Sequence, residues 1–76
     1  MAHIVSVEPA KDGWIVRSGE APPLRFDTSA QAVWSARKVG ESLADAGVAA
    51  EIVILDRDAK VAARFVCQPA PQLELA

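Results

Sequence analysis

Residues 27–47 read DTSAQAVWSARKVGESLADAG, and the way this stretch starts, repeats and stops decides the fold. Asp27-Thr28 followed by Gln31 is a capping-box pattern. A threonine hydroxyl at the N-cap accepts from an early backbone N–H, and the side chain three residues on reaches back to the cap. A helix is therefore predicted to begin at Ser29. At about 100° per residue, Ala32, Ala36, Val39, Leu43 and Ala46 fall on one stripe flanked by Val33, while Arg37, Lys38, Glu41 and Asp45 fall opposite. Gly47 supplies the left-handed residue that ends a helix. Ala32 and Ala36 are small, so the helix is suited to sit close on whatever lies beneath it.

Working outward, both flanks have strand periodicity. His3 to Glu8 alternates, with Val5 and Val7 on one face and Ile4, Ser6 and Glu8 on the other, and Pro9 is expected to end it. Lys11-Asp12-Gly13 is a turn cluster in which glycine would supply positive φ, and Trp14 to Arg17 reads as the returning strand. Ser18 to Pro23 is loop by composition, and Leu24-Arg25-Phe26 adds a short third strand. Beyond the helix, Ile52-Val53-Ile54-Leu55 is an unbroken β-branched run, which predicts a central strand buried on both faces. Arg57-Asp58-Ala59-Lys60 is a turn, and in the returning strand Val61, Ala63 and Phe65 alternate against Ala62, Arg64 and Val66. The expected class is α+β, a two-layer ββ(β)αββ plan with an antiparallel sheet and one helix packed on one face. The domain should span residues 1–67, and residues 68–76, with Pro69 and Pro71, should form a tail on which Leu73 and Leu75 share one side.

Composition sets the outer limits. A chain of 76 residues supports one core, because a domain of this size buries only about 60% of the surface its unfolded chain exposes. The 51% apolar and 24% charged content is that of a chain that folds. A net charge of −2 gives no cationic field for phosphate backbones, so nucleic acid is not the expected partner. The longest apolar runs fall far short of the ~20 residues that cross a bilayer, and the N-terminus lacks the pattern of a secretory signal. Cys67 is the lone cysteine, which suits a reducing compartment and makes cytoplasm the expectation.

Few residues point to chemistry. His3 and Cys67 would have to meet across the sheet to form a nucleophilic pair, and no third group is placed by spacing to orient them. One His and one Cys do not make a zinc site. Asp56 and Asp58 flank Arg57, where turn chemistry accounts for both carboxylates more simply than a divalent ion. The four glycines never approach a phosphate-loop spacing. Arg17, Arg25 and Arg64 share a sheet face without the aromatic residues of a base-stacking platform. No catalytic, cofactor-binding or metal-ligating residue is predicted, no cofactor or small-molecule substrate is indicated, and the chain is not expected to be an enzyme.

A lone helix covers one face of a sheet. If Val5, Val7, Trp14, Val16, Ile52, Ile54, Val61 and Phe65 look toward it, the far face carries Ile4, Ile15, Val53, Leu55 and Val66 among Ser6, Arg17 and Arg64. Five large apolar side chains on an open face mark an interaction site. Trp34, roughly opposite the helix's core stripe, either tucks against the Ala21-Pro22-Pro23 loop or the tail, or anchors an interface. Trp34, Ile4, Ile15, Val53, Leu55 and Val66 are the candidate interface.

The His3-Ile4-Val5 strand, the Asp12-Gly13-Trp14-x-Val16 hairpin, Asp27-Thr28 before Ala32, Ala36 and Arg37, and the Arg57-Asp58 turn together resemble a family of short uncharacterised bacterial proteins of ββαββ plan, a domain of unknown function. The resemblance covers about residues 3 to 66 and implies a fold without an established activity. This chain departs from it at Ala59, where the family's turn has glycine, and at Trp34, where it has a charge. A fainter likeness, carried by Asp12-Gly13-Trp14 and Asp27-Thr28 with Ala32 and Ala36, is to small antitoxins with a partial ribonuclease H-like sheet. The expected function is association without catalysis, foremost as a homodimer through apolar sheet faces or sheet edges. The alternative is an antitoxin-like or regulatory module that binds a protein or RNA partner.

Overall fold

The computed structural model describes residues 3–69, so the expected contributions of Pro71, Leu73 and Leu75 lie outside the described residues. The elements are β1 (His3–Ala10), β2 (Gly13–Ser18), β3 (Leu24–Phe26), α1 (Ser29–Asp45), β4 (Ala50–Leu55) and β5 (Val61–Cys67). The five strands form one sheet in the order β3-β2-β1-β4-β5, and α1 packs across it, chiefly over β1, β2 and β4. This is the two-layer α+β architecture that the periodicities predict.

The helix begins and ends as its sequence dictates. Thr28 is the N-cap, with its Oγ1 accepting from the Gln31 backbone N–H at 3.2 Å. The reciprocal half of the expected box does not form among the described residues, and Gln31 instead lines a groove beside Trp34. At the other end the Gly47 N–H donates to the Ala44 carbonyl at 3.0 Å and the Val48 N–H to the Leu43 carbonyl at 2.8 Å. With Gly47 at φ 86°, this is a Schellman closure, which satisfies the last carbonyls internally.

Ala32, Ala36 and Gly40 are the buried residues of α1, and they seat it on Val5, Val7, Val16 and Ile52. A Cβ at Gly40 would lie 2.9 Å from Ile52 Cδ1 and 3.0 Å from Cys67 Sγ, so the absent side chain sets how near the helix approaches β4 and β5. Trp14, Phe26, Val33, Val39, Leu43 and Ile54 pack around this centre.

The sheet is mixed, which corrects the all-antiparallel expectation. β1 pairs parallel with β4 through His3↔Ala50, Val5↔Ile52 and Val7↔Ile54, while the β1–β2, β2–β3 and β4–β5 pairs are antiparallel. The reason is a count of reversals. β3 turns the chain once more before the helix, α1 carries it back, and β4 must then run in the sense of β1; parallel neighbours need such a crossover. β1, not β4, is the central strand.

Three local expectations are also corrected. Pro9 does not end β1 but pairs with Trp14; the β4 ladder has already stopped at Val7↔Ile54, so the strand is locally an edge where a missing N–H costs no bond. Asp12, at φ 62°, takes the left-handed position in the first hairpin instead of Gly13, as short side chains that bond locally tolerate. Gly13 is required for a different reason, since a Cβ there would come within 2.6 Å of the Phe26 carbonyl oxygen. Finally, a register shift sets Val61 opposite Leu55 instead of in line with Ala63 and Phe65.

In the second hairpin Ala59 adopts φ 61°, at a cost of about 1–2 kcal/mol for a residue with a Cβ, partly offset by the backbone entropy that glycine would lose on folding. Ala59→Gly should therefore raise stability by about 0.5 kcal/mol, read as a thermal midpoint about 2–4 °C higher. Gly13→Ala should do the reverse. Its methyl forces β3 away from β2, lowering stability by about 1–3 kcal/mol and speeding amide exchange at Leu24 to Phe26.

Candidate interaction surface

Register places the side chains named from periodicity. Cross-strand partners share a face, so Val5, Val7, Val16, Ile52, Ile54 and Phe65 turn toward α1, and Ile4, Ile15, Val53 and Val66 turn away from it. Leu55, two residues on from Val53, belongs to the same outer face. Among the described residues no element lies over that face. Ile4 is 56% and Val66 60% exposed, while Ile15, Val53 and Leu55 are half-buried by their neighbours. The expectation that the run from Ile52 to Leu55 is buried on both faces is corrected accordingly: Ile52 is fully buried, but Val53 and Leu55 are not.

The outer face is not a continuous apolar patch. Arg17 Nε lies 2.9 Å from Glu8 Oε2, which also accepts from Ser6 Oγ at 2.9 Å, and Arg64 Nη1 lies 3.5 Å from Glu51 Oε1. Across the strands one row reads Arg17, Ser6, Val53, Arg64, and the next reads Ile4, Glu51, Val66. Apolar and charged side chains alternate, and each carboxylate has a guanidinium beside it. In water these exposed pairs contribute little, about 0–1 kcal/mol each. Beneath a second layer they would carry a desolvation cost.

Trp34 stands on the outer side of α1, 66% exposed, and so is not tucked under the Ala21-Pro22-Pro23 loop. Lys38 Nζ lies 5.5 Å from its ring centroid. The ring forms one wall of a shallow groove of about 540 Å3 that is closed by Arg25, Phe26, Asp27, Ala30 and Gln31. The structure therefore divides the predicted interface into two surfaces, because Trp34 lies above the helix and the other five residues lie on the opposite side of the sheet.

The residues weighed for chemistry are held apart or already engaged. His3 and Cys67 both pair with Ala50 from opposite sides, so β4 runs between them and two strand spacings, about 10 Å, separate their backbones. His3 Nε2 instead shares a hydrogen bond with Ser18 Oγ at 3.0 Å. Asp56 Oδ1 accepts from the backbone N–H groups of Asp58 at 2.9 Å and Lys60 at 3.0 Å, which makes it the organiser of the β4–β5 turn. Arg57 reaches from that turn to the first hairpin, where Nη1 donates to the Ala10 carbonyl at 3.0 Å and the guanidinium sits 4.7 Å from the Trp14 ring centroid. Among the described residues no group of three or more His, Cys, Asp or Glu side chains is placed to hold a metal ion, and no helix is long and apolar enough to cross a membrane.

One surface escaped the periodicity argument. β5 is an edge strand seven residues long, with Val61, Phe65 and Val66 exposed. The other edge, β3, has three residues between Pro22-Pro23 and Asp27. Short strands, proline and charge are how natural sheets guard an edge. The signal was present in the composition, since Val61 to Cys67 contains neither proline nor lysine.

No protein-family model, curated protein or solved structure matches this chain. Arg57 offers a direct check of the geometry. Arg57→Ala should lower stability by about 1 kcal/mol in chemical denaturation, through loss of the stacking on Trp14 and the bond to Ala10. Arg57→Lys should recover only part of it, because an ammonium lacks the planar fork.

Proposed function

We propose that this chain is a small non-catalytic domain whose activity is association with a second copy of itself. The observation that carries the reading is an asymmetry in how the sheet is protected. Among the described residues one face is covered by α1 and one edge is short and proline-flanked, whereas the other edge is long and apolar and the other face has no covering element. Unpaired strand edges attract further strands, and exposed apolar side chains attract apolar partners.

Two features favour self-association over catalysis. The groups with chemical reactivity are kept apart, His3 from Cys67 by β4 and Asp56 by its own turn amides. Among the described residues β5 carries three exposed large apolar side chains, Val61, Phe65 and Val66, more than any other element.

Sedimentation of the purified chain should show a mass that climbs from one chain toward two as the concentration rises through the micromolar range. A mass fixed at one chain up to high micromolar concentration contradicts the proposal.

A further inference from the structure

Among the described residues three surfaces stand uncovered: the groove at Trp34, the outer sheet face and the outer edge of β5. The groove is shallow, and nothing in its lining selects a particular occupant. The outer face would bury Glu8, Arg17, Glu51 and Arg64 together with its apolar side chains, and desolvating two ion pairs opposes the gain from burying the rest. The edge of β5 carries no such penalty, because its backbone N–H and C=O groups gain partners while those ion pairs stay in water.

β5 also lacks a working guard. Its one charge, Arg64, is drawn inward to Glu51 on β4, away from the free edge. Its irregularity lies at the Val61 end, which leaves regular strand from Ala63 to Cys67.

The symmetry of a homodimer narrows the register. Two antiparallel copies of β5 related by a two-fold axis perpendicular to the sheet must centre on a residue, since directly opposed side chains share a face. Centring on Arg64 sets two guanidinium groups side by side, and like charges directly opposite are destabilising. Centring on Ala63 opposes Val61 to Phe65 of the second copy, but the register shift has turned Val61 to the face of Leu55, so the two do not share a side. Centring on Phe65 opposes Phe65 to Phe65, Arg64 to Val66 and Ala63 to Cys67. Every pair then shares a face, no like charges meet, and, unlike a ladder centred on Val66, this one sets the two Phe65 rings against each other before it runs out near Pro69. The two Phe65 rings, 42% exposed in the single chain, cover one another while each keeps its own Arg37 guanidinium, 5.6 Å from the ring centroid.

We infer that a second copy of this chain docks on the outer edge of β5, antiparallel about a two-fold axis through Phe65, so that two sheets become one. This assignment rests on the self-association reading and names its interface. Edge pairing buries little area, at the low end of specific interfaces, so the dimer is weak and depends on concentration.

Disulfide trapping tests the register in the full chain. In the proposed dimer the two native Cys67 residues are four positions out of register, about 13 Å apart along the strand, too far to bridge. Ala63→Cys places a thiol directly opposite Cys67 of the second copy. Mild oxidation at high concentration should convert Ala63→Cys to covalent dimer at least tenfold more than the unmodified chain. Phe65→Lys, which opposes two ammonium groups on the axis, should weaken dimerisation at least tenfold by sedimentation with the circular dichroism spectrum unchanged. Ile4→Lys on the outer face should leave dimerisation intact. If the chain dimerises but Val53→Cys with Cys67→Ser traps it and Ala63→Cys does not, or if Ile4→Lys dissociates it and Phe65→Lys does not, the β5 interface is wrong and self-association stands. A mass of one chain at every concentration overturns both.

Discussion

The close seating of α1 on the sheet is the constraint from which the rest follows. Ala32, Ala36 and Gly40 bring the helix backbone down onto Val5, Val7, Val16 and Ile52, all buried. Burial of each large side chain contributes about 1.5–3 kcal/mol, so three wholly enclosed ones, Val5, Val7 and Ile52, are a large share of what a domain this small has available. Larger residues on the stripe would lift the helix and open the core. Because the stripe is narrow, the helix lies chiefly over β1, β2 and β4, reaches β3 and β5 less, and among the described residues nothing covers the far face.

What happens at those uncovered margins differs from place to place. The far face places charge beside each apolar side chain, with Arg17 on Glu8 and Arg64 on Glu51, so its valines and isoleucines are separated by groups that retain their hydration. The β3 edge is short and bounded by proline. The turn end is tied by Arg57, which links the two hairpins through Trp14 and Ala10. Among the described residues only the β5 edge lacks a comparable device. The proposed self-association along that edge would complete the protection of the sheet without disturbing the ion pairs, and would make function a consequence of the same helix placement that makes the core.

Much of this arrangement was legible in the residues. The Thr28 cap, the Ala32 and Ala36 stripe and the Gly47 stop located the helix because they depend on neighbours within one or two turns. Alternation assigned Ile4, Ile15, Val53 and Val66 to the far face for the same reason, since a strand's side-chain period needs no tertiary information. The free edge was less legible. The helical stripe set Trp34 on the side away from the sheet and alternation set the five sheet residues on the far face, as the structure has them, but periodicity within each element says nothing about which strand lies outermost.

The sequence by itself determined the local elements, their caps and the side from which each strand is greasy, because those are set by spacing along the chain. Tertiary structure alone decided that β4 lies parallel to β1, that β1 occupies the centre, and that β5 is left as a long free edge. The physical reason is that reversals along the chain set only the direction of each strand, whereas its neighbours depend on where α1 returns the chain to the sheet. The three residues of β3 supply the reversal that makes β4 run with β1, and the pairing of β4 beside β1 leaves β5 outermost.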